Sequence, residues 1–144
     1  MAETDVIGKT YEPVKYEVGL EKIKEYAFAT NDDNPLYTDE EAAKAGPHGG
    51  IVAPPLFAVV YMKDMMARVL FDKELDLNYA MLVHGEQEFE FFDVVRPGDI
   101  VWTDGTISSI DYKDDKKIVS CKCTAKVNGK KVCEGTYTFV VRGQ

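Results

Sequence analysis

The sequence predicts an α+β fold in which a curved antiparallel sheet wraps around one long central helix. Two observations carry that prediction. The run Leu56 to Met62 is apolar on every side, and Met65, Met66, Val69 and Leu70 continue it at helical spacing to about Phe71. A helix that is hydrophobic all round has to be enclosed by other structure. Behind it come four segments with strand-like alternation, around 86–91, 101–110, 117–127 and 133–141, which supply the enclosure. Strands that follow a helix in a block, rather than alternating with helices, form an antiparallel sheet.

Val14, Tyr16 and Val18 alternate with charged residues, so 11–18 is strand-like. Gly19 breaks the pattern, and Leu20, Ile23, Tyr26 and Ala27 then recur at helical spacing before the turn Asn31-Asp32-Asp33-Asn34-Pro35. Thr38 and Asp39 are placed to cap a second small helix, with Glu41 completing a capping box and Gly46-Pro47 ending it. Pro54 and Pro55 suit the start of the long helix, because a first-turn proline lacks only an N–H that would be unpaired anyway. In the last hairpin the apolar positions of both strands, Val119 to Val127 and Cys133 to Val141, are odd-numbered. Opposed residues share a face, so the loop is expected to hold three residues with Gly129 left-handed. A two-residue Asn128-Gly129 turn would bury Lys130 and Glu134. The exposed edge of such a sheet invites a second chain, and a homodimer or pseudo-dimer is expected.

The chain has 144 residues, which suits one domain spanning 1–144. Its formal net charge of −8 repels phosphate backbones and anionic lipid, which argues against nucleic-acid or membrane-surface binding. The longest apolar stretch, Ile51 to Met62, contains two prolines and is too short to span a bilayer. Residues 1–5 carry no secretion signal, and three cysteines without zinc-ligand spacing suit a reduced, cytoplasmic protein. No metal cluster, cofactor loop or Gly-x-Ser-x-Gly motif is present, so no cofactor is expected. The cysteines fall on the inward strand face, where they act as small hydrophobes.

Chemistry has three candidate locations. In Thr30 to Tyr37 a carboxylate could serve as a general base, yet Asp32, Asp33 and Asn34 are equally good turn formers bonding their own backbone. Gly49-Gly50-Ile51-Val52-Ala53-Pro54-Pro55 approaches the long helix, where free N–H groups suit a carbonyl oxygen; alternatively the glycines only let the backbone turn. The prolines there remove donors. His48 lies in a loop, and His84, at the start of a strand, is either a structural residue or an acid/base group.

Three motifs carry a resemblance: Asn31-Asp32-x-Asn34-Pro35-Leu36-Tyr37-Thr38-Asp39-Glu40, Gly49-Gly50-Ile51-Val52-Ala53-Pro54-Pro55-Leu56-Phe57 and Val94-x-Arg96-Pro97-Gly98-Asp99. Together they resemble the MaoC-like dehydratase N-terminal family of the hot-dog superfamily, over roughly residues 7–142. The resemblance implies a curved sheet around one helix and reversible hydration of a 2-enoyl-CoA or enoyl-ACP to a 3-hydroxyacyl thioester. Catalytic relatives carry Asp-x-Asn-Pro-(Ile/Leu)-His, in which Asp and His activate the water. Asp32, Asn34, Pro35 and Leu36 match that pattern, but Tyr37 stands where the His belongs, and a phenol does not shuttle protons at neutral pH as an imidazole does. Pro54-Pro55 replaces the region whose glycine N–H would hold the thioester carbonyl. Both departures make the chain similar to the non-catalytic, acyl-gripping subunit of a two-subunit (3R)-hydroxyacyl thioester dehydratase. The implied catalytic set for a chain active alone is Asp32, Asn34 and His84, with His48 as a substitute imidazole. The implied substrate-binding set is Tyr37, Gly50, Ile51, Val52, Ala53, Phe57 and Tyr61, with Met65 and Met66 as further acyl-channel lining. Expected partners are an acyl-CoA or acyl-ACP thioester and either a second copy or a catalytic MaoC-like chain. Two alternatives stand beside this: a non-catalytic binding or dimerisation module, and a hot-dog thioesterase using Asp64 or Glu74.

Overall fold

A computed structural model of the chain describes residues 6–143; the segment 1–5, read above for a targeting signal, lies outside them. Five strands form one antiparallel sheet in the order β1-β3-β4-β5-β2. They are β1 (Thr10–Glu17), β2 (Leu82–Phe91), β3 (Ile100–Lys113), β4 (Lys116–Val127) and β5 (Lys130–Arg142). The alternation anticipated above sets the inner face: Val119, Cys121, Cys123 and Ala125 of β4 and Cys133, Tyr137, Phe139 and Val141 of β5 are all buried. A bulge between Ile107 and Ser109 lets β3 bury both Ile107 and Ile110 despite their opposite parity.

The last hairpin differs from the expectation. Val127 pairs with Lys130, so the turn is the two-residue Asn128-Gly129, both left-handed with φ of 51° and 78°. This is the primed geometry that follows strand twist. The parity conflict is absorbed by an extra residue instead. Ala125 pairs with Cys133 but Lys126 with Lys131, so Val132 is bulged and buried, and Lys130 stays exposed while Glu134 is only half-buried.

The central helix is also not one unbroken element. A 3₁₀ turn at Pro55–Phe57 leads into a short helix, Ala58–Tyr61, and then a longer one, Lys63–Leu70, separated by Met62 at φ −94° and ψ −4°. We number the helices in chain order as α1 (Leu20–Ala29), α2 (Pro35–Thr38), α3 (Glu40–Lys44), α4 (Ala58–Tyr61) and α5 (Lys63–Leu70). Met62 N–H still donates to Ala58 O at 3.0 Å and Met66 N–H to Met62 O at 3.1 Å, so the axis carries on through the loosened turn. No glycine or proline marks that site. Tertiary packing does: Met65 and Met62 sit over Gly105 and Gly135, where a Cβ would come within 2.9 Å and 3.2 Å of their sulfurs. Nor is the helix enclosed all round, since Leu56 and Val59 are exposed.

Capping is shifted from the expectation as well. Asn34 caps α2, accepting from Leu36 N–H at 3.0 Å with Pro35 at the first position. Asp39, rather than Thr38, caps α3 and accepts from the N–H groups of Glu41 and Ala42, both at 3.1 Å. Among the described residues no helix is long and apolar enough to cross a membrane.

Candidate functional site

The polar loop starts where α1 ends. Thr30 closes the helix by bonding Tyr26 O through both its N–H and its hydroxyl, and Asn31 takes a left-handed φ of 56° that turns the chain sharply. Asp32 is then held by its own N–H on Ala27 O at 2.8 Å, and its Oδ1 accepts from Asn34 N–H at 3.1 Å. Both Asp32 and Asn34 therefore use side-chain oxygens to build the loop. The half-buried Asp32 lines a cavity of about 450 Å³ together with Tyr26, Thr30, Pro54, Pro55 and Leu56. Tyr26 bridges to the far wall by donating its hydroxyl to Leu56 O at 3.1 Å. The Tyr26 and Tyr37 phenols are both held above their ordinary values, first by burial and then by the Asp32 charge. Tyr37 thus stands beside Asp32 as a protonated hydroxyl at neutral pH.

The other sequence-predicted residues do not converge here. His84 lies on β2 with its Nε2 at 2.9 Å from Gln87 Oε1, and its ring stacks on Tyr137 at 5.6 Å and leans on Phe139 at 5.2 Å. It lines a different groove, with Val59, Lys63 and Met66 of the central helix. His48 contributes its carbonyl to Arg96 Nη1 at 2.7 Å. Gly50 and Ile51 border a third, polar cleft with Lys44 and Arg96. Val52 and Ala53 are buried, and their N–H groups are already bonded to Leu36 O at 3.2 Å and Val95 O at 2.8 Å. Those two N–H groups are not free to take a thioester oxygen. Phe57 is wholly buried and makes edge-on contacts with the rings of Tyr16, Tyr26 and Tyr61. It is core, as is Met65, whereas Met66 faces the His84 groove.

Tyr61 sits elsewhere. It lines an apolar cavity of about 370 Å³ with Ala53, Phe91, Phe92, Val94 and Val95, divided from the Asp32 cavity only by the wall of Pro54 and Pro55. Sequence reasoning missed Phe91, Phe92, Val94 and Val95. The available signal was the apolar run continuing past the end of β2. The motif Val94-x-Arg96-Pro97-Gly98-Asp99 proves to be scaffolding: Asp99 accepts from Arg96 N–H at 2.8 Å, Gly98 turns at a φ of 88°, and Gly98 and Asp99 clasp Val18 through its carbonyl and N–H. That turn holds Val95 against Ala53 and so shapes the cavity.

Glu74 is ion-paired with Lys9 at 2.6 Å, and the exposed Asp64 with Lys63 at 2.9 Å, so neither carboxylate lines one of these cavities. Burial raises the Cys133 thiol above its ordinary value, away from the thiolate. Among the described residues no group of three or more His, Cys, Asp or Glu side chains could hold a metal ion.

Residues 5–135 match the family model of the FAS1-like dehydratase domain region. The chain belongs to that dehydratase family. Solved structures place it among the MaoC-like hot-dog proteins. It is similar to the HadBC (3R-hydroxyacyl-ACP dehydratase) complex from Mycobacterium tuberculosis, with 28% identity, a TM-score of 0.81 and coverage of 96% of this chain and 99% of that one. It is also similar to the MaoC-like dehydratase from Rhodospirillum rubrum, with 25% identity, a TM-score of 0.71 and coverage of 96% and 93%. A UPF0336 protein of Saccharopolyspora erythraea is 37% identical over 139 residues, covering 95% of this chain and 89% of the relative.

Proposed function

We propose that this MaoC-like chain is the acyl-binding subunit of a heteromeric hot-dog hydratase/dehydratase, acting on a 2-enoyl or 3-hydroxyacyl thioester of CoA or carrier protein. The reading rests on one observation: neither of the two histidines lines the cavity of Asp32. Hydration of an enoyl thioester takes a proton from water as oxygen bonds to Cβ and delivers a proton to Cα. A group that cycles between protonation states near neutral pH has to sit at the reacting water. Asp32 Oδ1 accepts from Asn34 N–H within its own loop, and Tyr37 keeps its proton. A second hot-dog chain with an intact Asp/His pair would supply the chemistry.

The binding role draws on the cavity behind Pro54-Pro55. Tyr61, Phe91, Phe92, Val94 and Val95 give it an apolar wall, and its volume of about 370 Å³ suits part of an acyl chain. Tyr26 and Asp32, in the adjoining cavity across the Pro54-Pro55 wall, then serve as the polar side of the binding region. The test is calorimetric titration with saturated acyl-CoAs of increasing length, which cannot be hydrated. Affinity should rise with chain length in the wild type and lose that dependence in Val94→Trp, which fills the cavity. Binding indifferent to chain length would overturn the proposal.

A further inference from the structure

The outer face of the sheet carries a row of side chains that the core does not use. Register sets Lys15 of β1 against Trp102 of β3, Trp102 against Lys126 of β4, and Lys126 against Lys131 of β5. Opposed residues in antiparallel strands share a face, so the indole stands between two ammonium groups. All four residues are exposed. Trp102 is the single tryptophan of the chain, and 47% of it is open to solvent. Among the described residues neither Lys15 nor Lys126 meets a carboxylate, whereas Lys131 is paired with Glu134. The nearest acid along β3, Asp104, is half-buried and accepts from Thr124 N–H at 3.2 Å. A chain with a net charge of −8 thus places unpaired cations on both sides of its one indole.

That pairing of groups matches a purine that carries phosphates. Any base can stack on an indole through its π-face, and a lysine ammonium is a point charge suited to phosphate oxygen.

The row ends at the acyl cavity. Lys131 Nζ lies 5.1 Å from the centre of the Phe92 ring, and Phe92 lines the cavity of about 370 Å³. Phe92 N–H donates to Val132 O at 2.9 Å, which fixes it beside β5. From Phe92 across β5 and β4 to Trp102 is three strand spacings, about 14 Å. An extended pantetheine arm covers that span. A CoA thioester has an acyl chain at one end of this arm and an adenosine bisphosphate at the other. A carrier-protein thioester has the arm without the purine.

We propose that Trp102 stacks the adenine of a CoA thioester, that Lys15 and Lys126 hold its phosphates, and that the chain takes CoA rather than carrier-protein thioesters. The inference rests on the reading that the cavity lined by Tyr61 and Phe92 takes the acyl chain. Calorimetry with one saturated acyl-CoA and the matching acyl-pantetheine, which has no nucleotide, tests it on the wild type, Trp102→Leu and K15Q/K126Q. The wild type should bind the CoA thioester about tenfold more tightly or better, with the gap narrowing as salt screens the phosphates. Both variants should lose most of that gap and bind acyl-pantetheine as the wild type does. Adenosine 3′,5′-bisphosphate alone should quench the fluorescence of Trp102 saturably, a readout that needs no variant. Equal wild-type affinity for the two thioesters, or Trp102 emission indifferent to the bisphosphate at millimolar concentration, would overturn the proposal. Acyl-chain-length dependence would then leave the acyl reading standing. A nucleotide effect that persists while neither thioester responds to chain length would support the Trp102 site and remove the acyl reading alone.

Discussion

Replacing Phe57 with alanine tests whether that ring is core or substrate lining, because the two roles predict opposite outcomes. The side chain is fully buried and meets the rings of Tyr16, Tyr26 and Tyr61 edge-on at 6.3, 5.7 and 6.4 Å. Truncating such a phenylalanine removes its transfer free energy and leaves a cavity, a loss of about 3–5 kcal/mol. For a chain of this length that lowers Tm by roughly 2–4 °C per kcal/mol, or about 6–20 °C in all. Phe57→Leu keeps most of the burial and gives up the edge-on ring contacts, so about 1–2 kcal/mol is expected. Urea unfolding followed by circular dichroism, without ligand, reads both variants. An alanine variant that loses less than about 1 kcal/mol while losing acyl-CoA binding would refute the reasoning and return Phe57 to the binding wall.

Other perturbations have equally definite outcomes. Burial works against the Asp72 carboxylate, but the hydrogen bonds from Lys9 and Tyr11, both 2.6 Å, outweigh it and hold its pKa below the usual range. The stabilisation is therefore complete above the unfolded pKa of about 3.9 and is lost as pH falls through the folded value, so Asp72→Asn should flatten the wild type's decline in Tm below about pH 4. Gly129→Ala forces an alanine into a φ of 78° and should cost about 1–2 kcal/mol by urea unfolding, whereas Gly19→Ala, at an extended residue with open space around it, should cost far less. Asp39→Ala removes both bonds at the start of α3 and should lower stability by about 1 kcal/mol, read as a shift in the urea midpoint.

Much of the sheet was legible in the sequence because a buried inner face imposes strict alternation, and β4 and β5 show it almost without exception. What escaped was the means of keeping that alternation through a two-residue turn. Nothing local announces the Val132 bulge; it follows from the preference of Asn128-Gly129 for the primed turn. The break at Met62 is likewise silent, since it arises from the approach of Met62 and Met65 to glycines on distant strands. In the site, the Asp32 turn could be read from its residue types, and the lack of an imidazole from Tyr37. The cavity to which His84 belongs could not, because it depends on β2 being the edge strand beside β5 rather than a neighbour of β1.

The most direct measurement is turnover by the purified chain alone: loss of the enoyl absorbance of crotonyl-CoA and of a longer 2-enoyl-CoA, with Asp32→Asn measured alongside. The account predicts that the chain binds the longer thioester and hydrates neither substrate. Hydration by the wild type that disappears in Asp32→Asn would contradict it, and would make this chain a catalyst in its own right.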